Sequence, residues 1–311
     1  MSTHITHRPE WLKARLPSGD NYRELLGIMR TQTLHTVCEE ARCPNIGECW
    51  ERRTATFLVL GNVCTRNCSY CAIMHGLPTE LDRQEPERVA RAVQAMGLRH
   101  AVITSVNRDD LADGGAEIYA ALIRRIHELT PECTVEVLIP DFKGDAPALR
   151  AVLEAAPEIL AHNIESVPRV FKTVRHGGNY ERTLTLLRRV KEWGYTSFTK
   201  TGIILGMGET RDELLGTMDD LRTVDCDILT LGQYLRPGPD YHPIDRYYTP
   251  VEFAELKRIG LERGFKYVES GPLVRSSYRA DIQAAEVRAF RARIGWASVS
   301  SPSGAAPSVT A

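Results

Sequence analysis

Six of the eight cysteines in this 311-residue chain lie between positions 38 and 71. They form two triplets, Cys38, Cys43 and Cys49 at spacing C-x4-C-x5-C, then Cys64, Cys68 and Cys71 at C-x3-C-x2-C. The second triplet sits in the stretch Gly61 to Ile73, directly after an apolar run from Ala55 to Leu60 that reads as a strand. Such crowding asks for an inorganic explanation. The other two cysteines, Cys133 and Cys226, stand at a strand start and just before a strand, and are expected to pack as ordinary core residues.

Composition narrows the setting. Hydrophobic residues make up 43% and charged residues 25%, with Lys+Arg 39 against Asp+Glu 40 and a net charge of −1. This is ordinary for a soluble globular protein and offers no basic surface for nucleic acid or membrane. Met1 to Lys13 lacks the apolar core of a signal peptide, and no apolar stretch approaches the ~18 residues of a membrane span. A cytoplasmic protein is expected. In a reducing compartment cysteines serve as metal ligands or catalysts more often than as disulfides.

Residues 1–53 read as an N-terminal arm with Trp11, Leu12 and Leu16 as anchors, followed by irregular structure around the first triplet, pinned by its ligands. From residue 54 strands and helices alternate. Strands are expected over Thr54–Gly61, His100–Val106, Cys133–Pro140, Ile159–Ser166, Ser197–Gly206 and Ile228–Leu235, and a short one over Tyr267–Glu269. Helices are expected over Glu87–Met96, Gly115–Leu129, Ala146–Ala155 and Arg182–Trp193. Thr210 with Glu213, and Thr249 with Glu252 after Pro250, are capping boxes that start two more. Six strand–helix units favour a parallel sheet with helices outside. A doubly wound sheet fits that alternation as well as a partial (β/α)6 TIM-like barrel. The barrel spans 54–265, with a C-terminal extension over 266–297 and a Ser/Ala/Pro-rich tail, 298–311, that reads as disordered.

Three thiolates do not complete a tetrahedral zinc site, which takes four ligands and often draws them as C-x2-C pairs. They do suit a [4Fe–4S] cube with one iron left open, able to chelate a small molecule. The loop, with Tyr70 just before its last cysteine and a βα series after it, resembles that of the radical S-adenosylmethionine superfamily. The resemblance implies that Cys64, Cys68 and Cys71 hold a cluster whose open iron binds S-adenosylmethionine, which one-electron reduction cleaves to a 5′-deoxyadenosyl radical. Gly202-Ile-Ile204-Leu-Gly206-Met-Gly-Glu209 is similar to the superfamily's G-x-I-x-G-x-x-E pattern, where glycines let backbone approach the adenine. Asn163 and Glu165, two apart at the end of the fourth strand, share a face and suit ribose hydroxyls. Asn107 stands where the superfamily contacts the methionine amine, though Thr104–Asp110 lacks the usual Gly-Gly-Glu. Gln233 and Arg236, at the top of the sixth strand, complete the set of cosubstrate contacts. Glu209 is equally an acidic residue before a helix, and His35 beside Cys38 reads as an exposed loop histidine.

The first triplet, together with Arg275-Ser276-Ser277-Tyr278 near the C-terminus, resembles the lipoyl synthase family over about residues 8–283. This likeness implies a second, auxiliary [4Fe–4S] cluster on Cys38, Cys43 and Cys49, with a serine as fourth ligand, Ser277 and otherwise Ser276. It implies insertion of two sulfur atoms, at C6 and then C8, into an octanoyl chain on a lysine of a carrier domain, with the auxiliary cluster sacrificed as donor. The implied partners are the octanoylated domains of a 2-oxoacid dehydrogenase E2 or glycine cleavage H protein, an electron donor such as flavodoxin or ferredoxin, and an iron–sulfur carrier. The chain is expected to act as a monomer. Two alternatives stay open: a biotin-synthase-like or methylthiotransferase-like sulfur inserter, and a non-catalytic iron–sulfur or zinc protein.

Overall fold

A computed structural model describes residues 8–13, 16–31, 34–41 and 43–293. The tail at 298–311 lies outside the described residues. Ten strands run β1 His35–Thr36, β2 Thr56–Val59, β3 Val63–Cys64, β4 Met74–His75, β5 His100–Ser105, β6 Thr134–Leu138, β7 Ile159–Ala161, β8 Phe198–Leu205, β9 Ile228–Gln233 and β10 Tyr267–Gly271. Eight of them form one sheet in the order β1-β2-β5-β6-β7-β8-β9-β10, with β3 and β4 paired apart. Seven successive strands are parallel and only β1 runs antiparallel, along the outer edge of β2.

Strand order following chain order rules out the doubly wound alternative, in which the order reverses at a switch point. The sheet curls as a partial barrel and does not close: among the described residues its two edges, β1 and β10, do not pair. The sheet also takes in strands from both sides of the 54–265 span, β1 before it and β10 after it.

Helix faces cover the outside of the sheet in one large core that includes Phe57, Ile103, Val137, Leu160 and Leu231. A second, small cluster joins Ile159, Phe198 and Ile228, at the starts of three neighbouring strands, to Ala284 of the last helix, Ala280–Arg293. That helix therefore covers the N-terminal end of the strands, leaving the C-terminal ends for the site, as in other barrels of alternating strands and helices. Both capping boxes form, at Thr210 and Thr249.

Three expectations are corrected. The arm contains a helix, Asp20–Thr31, and the first triplet rides on two short helices, Val37–Glu40 and Ile46–Glu51, so local hydrogen bonding supplies order there. Of the three anchors, Leu12 is buried, whereas Trp11 and Leu16 are exposed. The fourth strand ends at Ala161, and Glu165 has a left-handed φ of 67°, so Asn163 and Glu165 are not alternate residues of one strand. Both still reach the barrel mouth, because Glu165 bridges to Ile203.

Candidate metal centres

The second triplet occupies a loop that leaves β2 through two left-handed residues, Leu60 and Gly61. Parallel pairing of β3 with β4, and the Gly76 N–H donating to the Cys64 carbonyl at 2.9 Å, close the loop into a ring. Its interior is tied from outside. The Ser69 N–H donates to the Val174 carbonyl at 2.9 Å, and the His242 N–H to the Ser69 carbonyl at 2.8 Å. Arg66, between the first two cysteines, points away from them. Its buried guanidinium binds Asp109 at 2.7 Å and Asp141 at 2.6 Å. Burial alone would push the Asp141 carboxyl up, but Arg66 overrides it and holds the group well below the usual carboxylate range.

The Cys64 sulfur accepts N–H groups from Asn107 at 3.3 Å and Arg66 at 3.4 Å, with the Asn107 side-chain amide at 3.8 Å. N–H donors around a thiolate are what a charged metal–sulfur centre needs. Burial pushes the Cys71 thiol up to about 12, with Cys68 and Cys64 adding to it as neighbouring like charges. Cys68 is raised too, by burial, against the pull of Arg175. The three thiols are thus mutual neighbours, and Cys68 and Cys71 hold their protons until a cation takes them.

Asn107 sits on the sulfur of Cys64. Tyr70 and Asn163 both hydrogen-bond the Glu165 carboxyl, which burial raises and Arg175 pulls back. The Asn163 Oδ1 is buried with no partner in the protein, beside Gly202, where a β-carbon would stand 3.0 Å away. A buried acceptor left over in this way suits a polar ligand at the strand ends. Arg175, which sequence reasoning missed, donates to the Asn163 carbonyl and, at 3.3 Å, to His162 Nε2.

The side chains of two predicted contacts, Gln233 and Arg236, and of Glu209 in the glycine segment, hydrogen-bond within the protein itself. Gln233 is fully buried and donates to the Leu205 and Arg246 carbonyls at 3.0 Å each, while accepting the Tyr248 N–H at 2.9 Å. Arg236 donates to the carbonyls of Tyr241, at 3.0 Å, and Pro239. Glu209 accepts the N–H groups of Gly206 at 2.6 Å and Met207 at 3.0 Å, folding the glycine turn. These side chains shape the strand-end loops. Gly206 itself, at φ 98°, packs where a β-carbon would lie 2.3 Å from Gln233 Nε2, so no other residue fits there without rearrangement.

At the first triplet, burial lifts the Cys38 thiol to about 11, with Cys43 as the next contributor, and Cys49 is raised by burial and then by Cys38 and Cys43. Trp50 is fully buried; its ring N–H has no oxygen or nitrogen partner and lies against the Cys38 sulfur. The C-terminal motif comes back to this place. Asn45 donates to the Leu273 carbonyl at 2.6 Å, the Tyr278 hydroxyl to Glu48 at 3.1 Å, and Arg52 pairs with Asp281 at 2.6 Å. Arg275 faces Cys43. Ser277 takes a 2.8 Å hydrogen bond from Thr56, whose backbone N–H bonds the Cys38 sulfur. The Ser277 hydroxyl is thus linked through Thr56 to the Cys38 sulfur.

Among the described residues no three of His, Cys, Asp and Glu are spaced for a single metal ion. A four-iron cube attaches each ligand to a different corner and so takes a wider triangle; the all-thiol donor sets and their N–H neighbours fit such a cube. Cys133 and Cys226 are buried in the main core. His35 is half-buried rather than exposed, with Nδ1 3.0 Å from Glu40. No helix among the described residues is long and apolar enough to cross a membrane.

The model of the Radical SAM superfamily matches residues 58–221, and that of the N-terminal domain of lipoyl synthase matches residues 2–43. The lipoyl synthase of Rubrobacter xylanophilus is 59% identical over 281 residues, 90% of this chain and 88% of its own length. That of a Roseiflexus species is 57% identical over 91% of this chain and 94% of the relative. In Staphylococcus carnosus the corresponding values are 52%, 94% and 94%. Among solved structures, methylornithine synthase superposes with a TM-score of 0.52 at 14% identity, covering 90% of this chain and 94% of its own. HydG, a maturase of the [FeFe]-hydrogenase, gives 0.52 at 14% identity, over 83% and 62%. These two show the fold alone. The matches set aside both the small-substrate sulfur inserter and the non-catalytic protein, and with the N-terminal triplet and the serine motif meeting in space, the chain belongs to the lipoyl synthase family of the radical SAM superfamily.

Proposed function

We propose that this chain converts a protein-bound octanoyl-lysine to lipoyl-lysine by inserting sulfur at C6 and C8. The observation that carries the reading is Ser277 brought from the C-terminus to the N-terminal thiols through Thr56. It accounts for a second donor set that radical cleavage alone does not need.

In this reading Cys64, Cys68 and Cys71 hold one cluster, and Cys38, Cys43, Cys49 and Ser277 hold the other. Between them they supply the deoxyadenosyl radical, from S-adenosylmethionine, and the sulfur. The chain's own residues do the positioning. Asn107 and Arg66 steady the Cys64 sulfur with N–H groups. Tyr70, Asn163, Glu165 and Gly206 line the strand ends that receive the cosubstrate, and Gln233 and Arg236 keep the flanking loops in shape. A carbon radical reacts with the first group it meets, so holding the octanoyl chain against the sulfur source and excluding water decide the outcome.

The substrate is carried by a protein domain of the 2-oxoacid dehydrogenase E2 or glycine cleavage H type. The other partners are a small one-electron donor such as flavodoxin or ferredoxin and an iron–sulfur carrier, all in the cytoplasm, with the enzyme acting as a monomer. Anaerobically reconstituted protein with octanoyl-lysyl peptide, S-adenosylmethionine and dithionite tests the reading by mass spectrometry. About eight irons per chain, four in each cube, with 5′-deoxyadenosine and a peptide gaining two sulfurs, are expected. Deoxyadenosine without sulfur in the peptide would send the radical chemistry to another substrate.

A further inference from the structure

We propose that the Thr56 hydroxyl holds Ser277 in place as an iron-binding alkoxide; this positioning role rests on the reading of Ser277 as the fourth ligand of the N-terminal cluster. Thr56 opens β2. Side chains alternate along the strand, so Thr56 points to the face opposite Phe57 and Val59. Its side chain is buried, its Oγ1 donates to Ser277 Oγ at 2.8 Å, and its backbone N–H bonds the Cys38 sulfur. One residue thus touches donors from both ends of the chain, and Ser277 is 221 positions away.

The chemistry asks for such a group. An alkoxide is a hard, strongly basic ligand on iron that usually takes thiolate, and its charge must be shared with a donor once water is excluded. An iron-bound alkoxide carries no proton, so its partner has to donate, as the Thr56 hydroxyl at 2.8 Å can. Hydrogen bonds to ionised acceptors are about twice as strong as neutral ones. Threonine is also stiff about χ1 and at home in a strand, so the hydroxyl is aimed before the serine arrives. Without it the alkoxide would be buried with its charge unshared, and the iron at that corner would be the first lost.

The test follows iron release from reconstituted holoprotein into a ferrous chelator, without cosubstrate or substrate. Thr56→Val is expected to shed the labile iron roughly tenfold faster than the parent, the effect of losing a hydrogen bond to a charged acceptor. Thr56→Ser should restore the parent rate. Ser277→Ala should be at least as fast as Thr56→Val, and the double variant no faster than Ser277→Ala, because the two act through one bond. Parent-like release from Thr56→Val beside fast release from Ser277→Ala overturns the role of Thr56. Parent-like release from Ser277→Ala means that the serine is not a ligand, a different failure. Fast release from Thr56→Ser assigns the effect to the lost methyl and also overturns the proposal. Should circular dichroism show Thr56→Val unfolded, Thr56→Ala is read in the same assay.

Discussion

The α-carbon of Gly232 lies against the carbonyl of Val274, so closely that a β-carbon on Gly232 would stand 2.0 Å from that oxygen. Gly232 is in β9, and Val274 directly precedes the Arg275–Tyr278 motif. The motif reaches the N-terminal thiols only because the strand offers no side chain at this point. The obstacle for any other residue is backbone, which cannot swing aside. Gly232→Ala is therefore expected to displace residues 272–278 and cut iron content from about eight towards about four, one cube's worth, although Gly232 binds no metal. Gly271→Ala, whose β-carbon would meet only the Val274 Cγ2 at 3.3 Å, serves as the milder control. Equal iron in the two variants would contradict this account.

On the proposed division of labour between the two thiol sets, single substitutions should separate the tasks. Cys68→Ala removes a donor from the ring closed by β3 and β4 and should abolish cleavage of S-adenosylmethionine. Cys43→Ala lies at the other centre, beside Arg275, and should leave cleavage intact while no sulfur enters the peptide. Product analysis for 5′-deoxyadenosine and for peptide mass tells them apart. If both variants lost cleavage while each kept its remaining cluster, the assignment of tasks would be wrong.

What the sequence disclosed follows from how local each signal is. Strand and helix periods, both capping boxes and both cysteine spacings lie in short windows, and all reappear in the fold. The route by which Ser277 meets Cys38 does not, since Thr56 is one threonine among many until β2 places it between them. Arg175 and Asp141 carried no signal for the same reason. Arg66 had one, its place inside C-x3-C, but sequence alone did not show that it turns from the sulfurs to two aspartates. Gln233 and Arg236 were located at the right strand end; only the structure reveals that backbone carbonyls already use them.

Lys200 and Glu136 lie in β8 and β6, both sealed from solvent and 2.7 Å apart, with His100 at 3.5 Å from the carboxylate. Removing one partner of a buried pair leaves the other charge uncompensated, which costs about 3–5 kcal/mol. Lys200→Met is therefore expected to destabilise by that amount despite its apolar fit, and Lys200→Met combined with Glu136→Leu by much less. Denaturant midpoints of the three proteins check this; additive losses would show that the two residues are not coupled.

His162 gives the fold a pH dependence of predictable sign. Its Nδ1 donates to the Ile139 carbonyl at 2.8 Å, leaving Nε2 to accept from Arg175 at 3.3 Å, with the Thr183 hydroxyl 3.2 Å away. A ring nitrogen facing a guanidinium N–H has no room for a proton. Burial, and then the neighbouring Arg175 charge, lower the group from its ordinary 6.5 to about 3. In the unfolded chain the ring takes its proton near 6.5, so the unfolded state binds more protons at every pH between the two values. Stability from this residue is complete above about 6.5 and is lost as pH falls towards 3. The loss amounts to about 2 kcal/mol at pH 5, since each tenfold difference in proton affinity is worth about 1.4 kcal/mol. His162→Asn keeps a donor for Ile139 and cannot titrate. It should be less stable than the parent at pH 7, having lost the acceptor for Arg175, yet the gap should narrow by about 2 kcal/mol at pH 5. Urea unfolding of both proteins at the two pH values measures the gap, and comparing them at each pH cancels the acid lability that they share. A gap unchanged by pH would mean that His162 takes up its proton at the same pH in the folded and the unfolded chain, and that neither burial nor Arg175 depresses it.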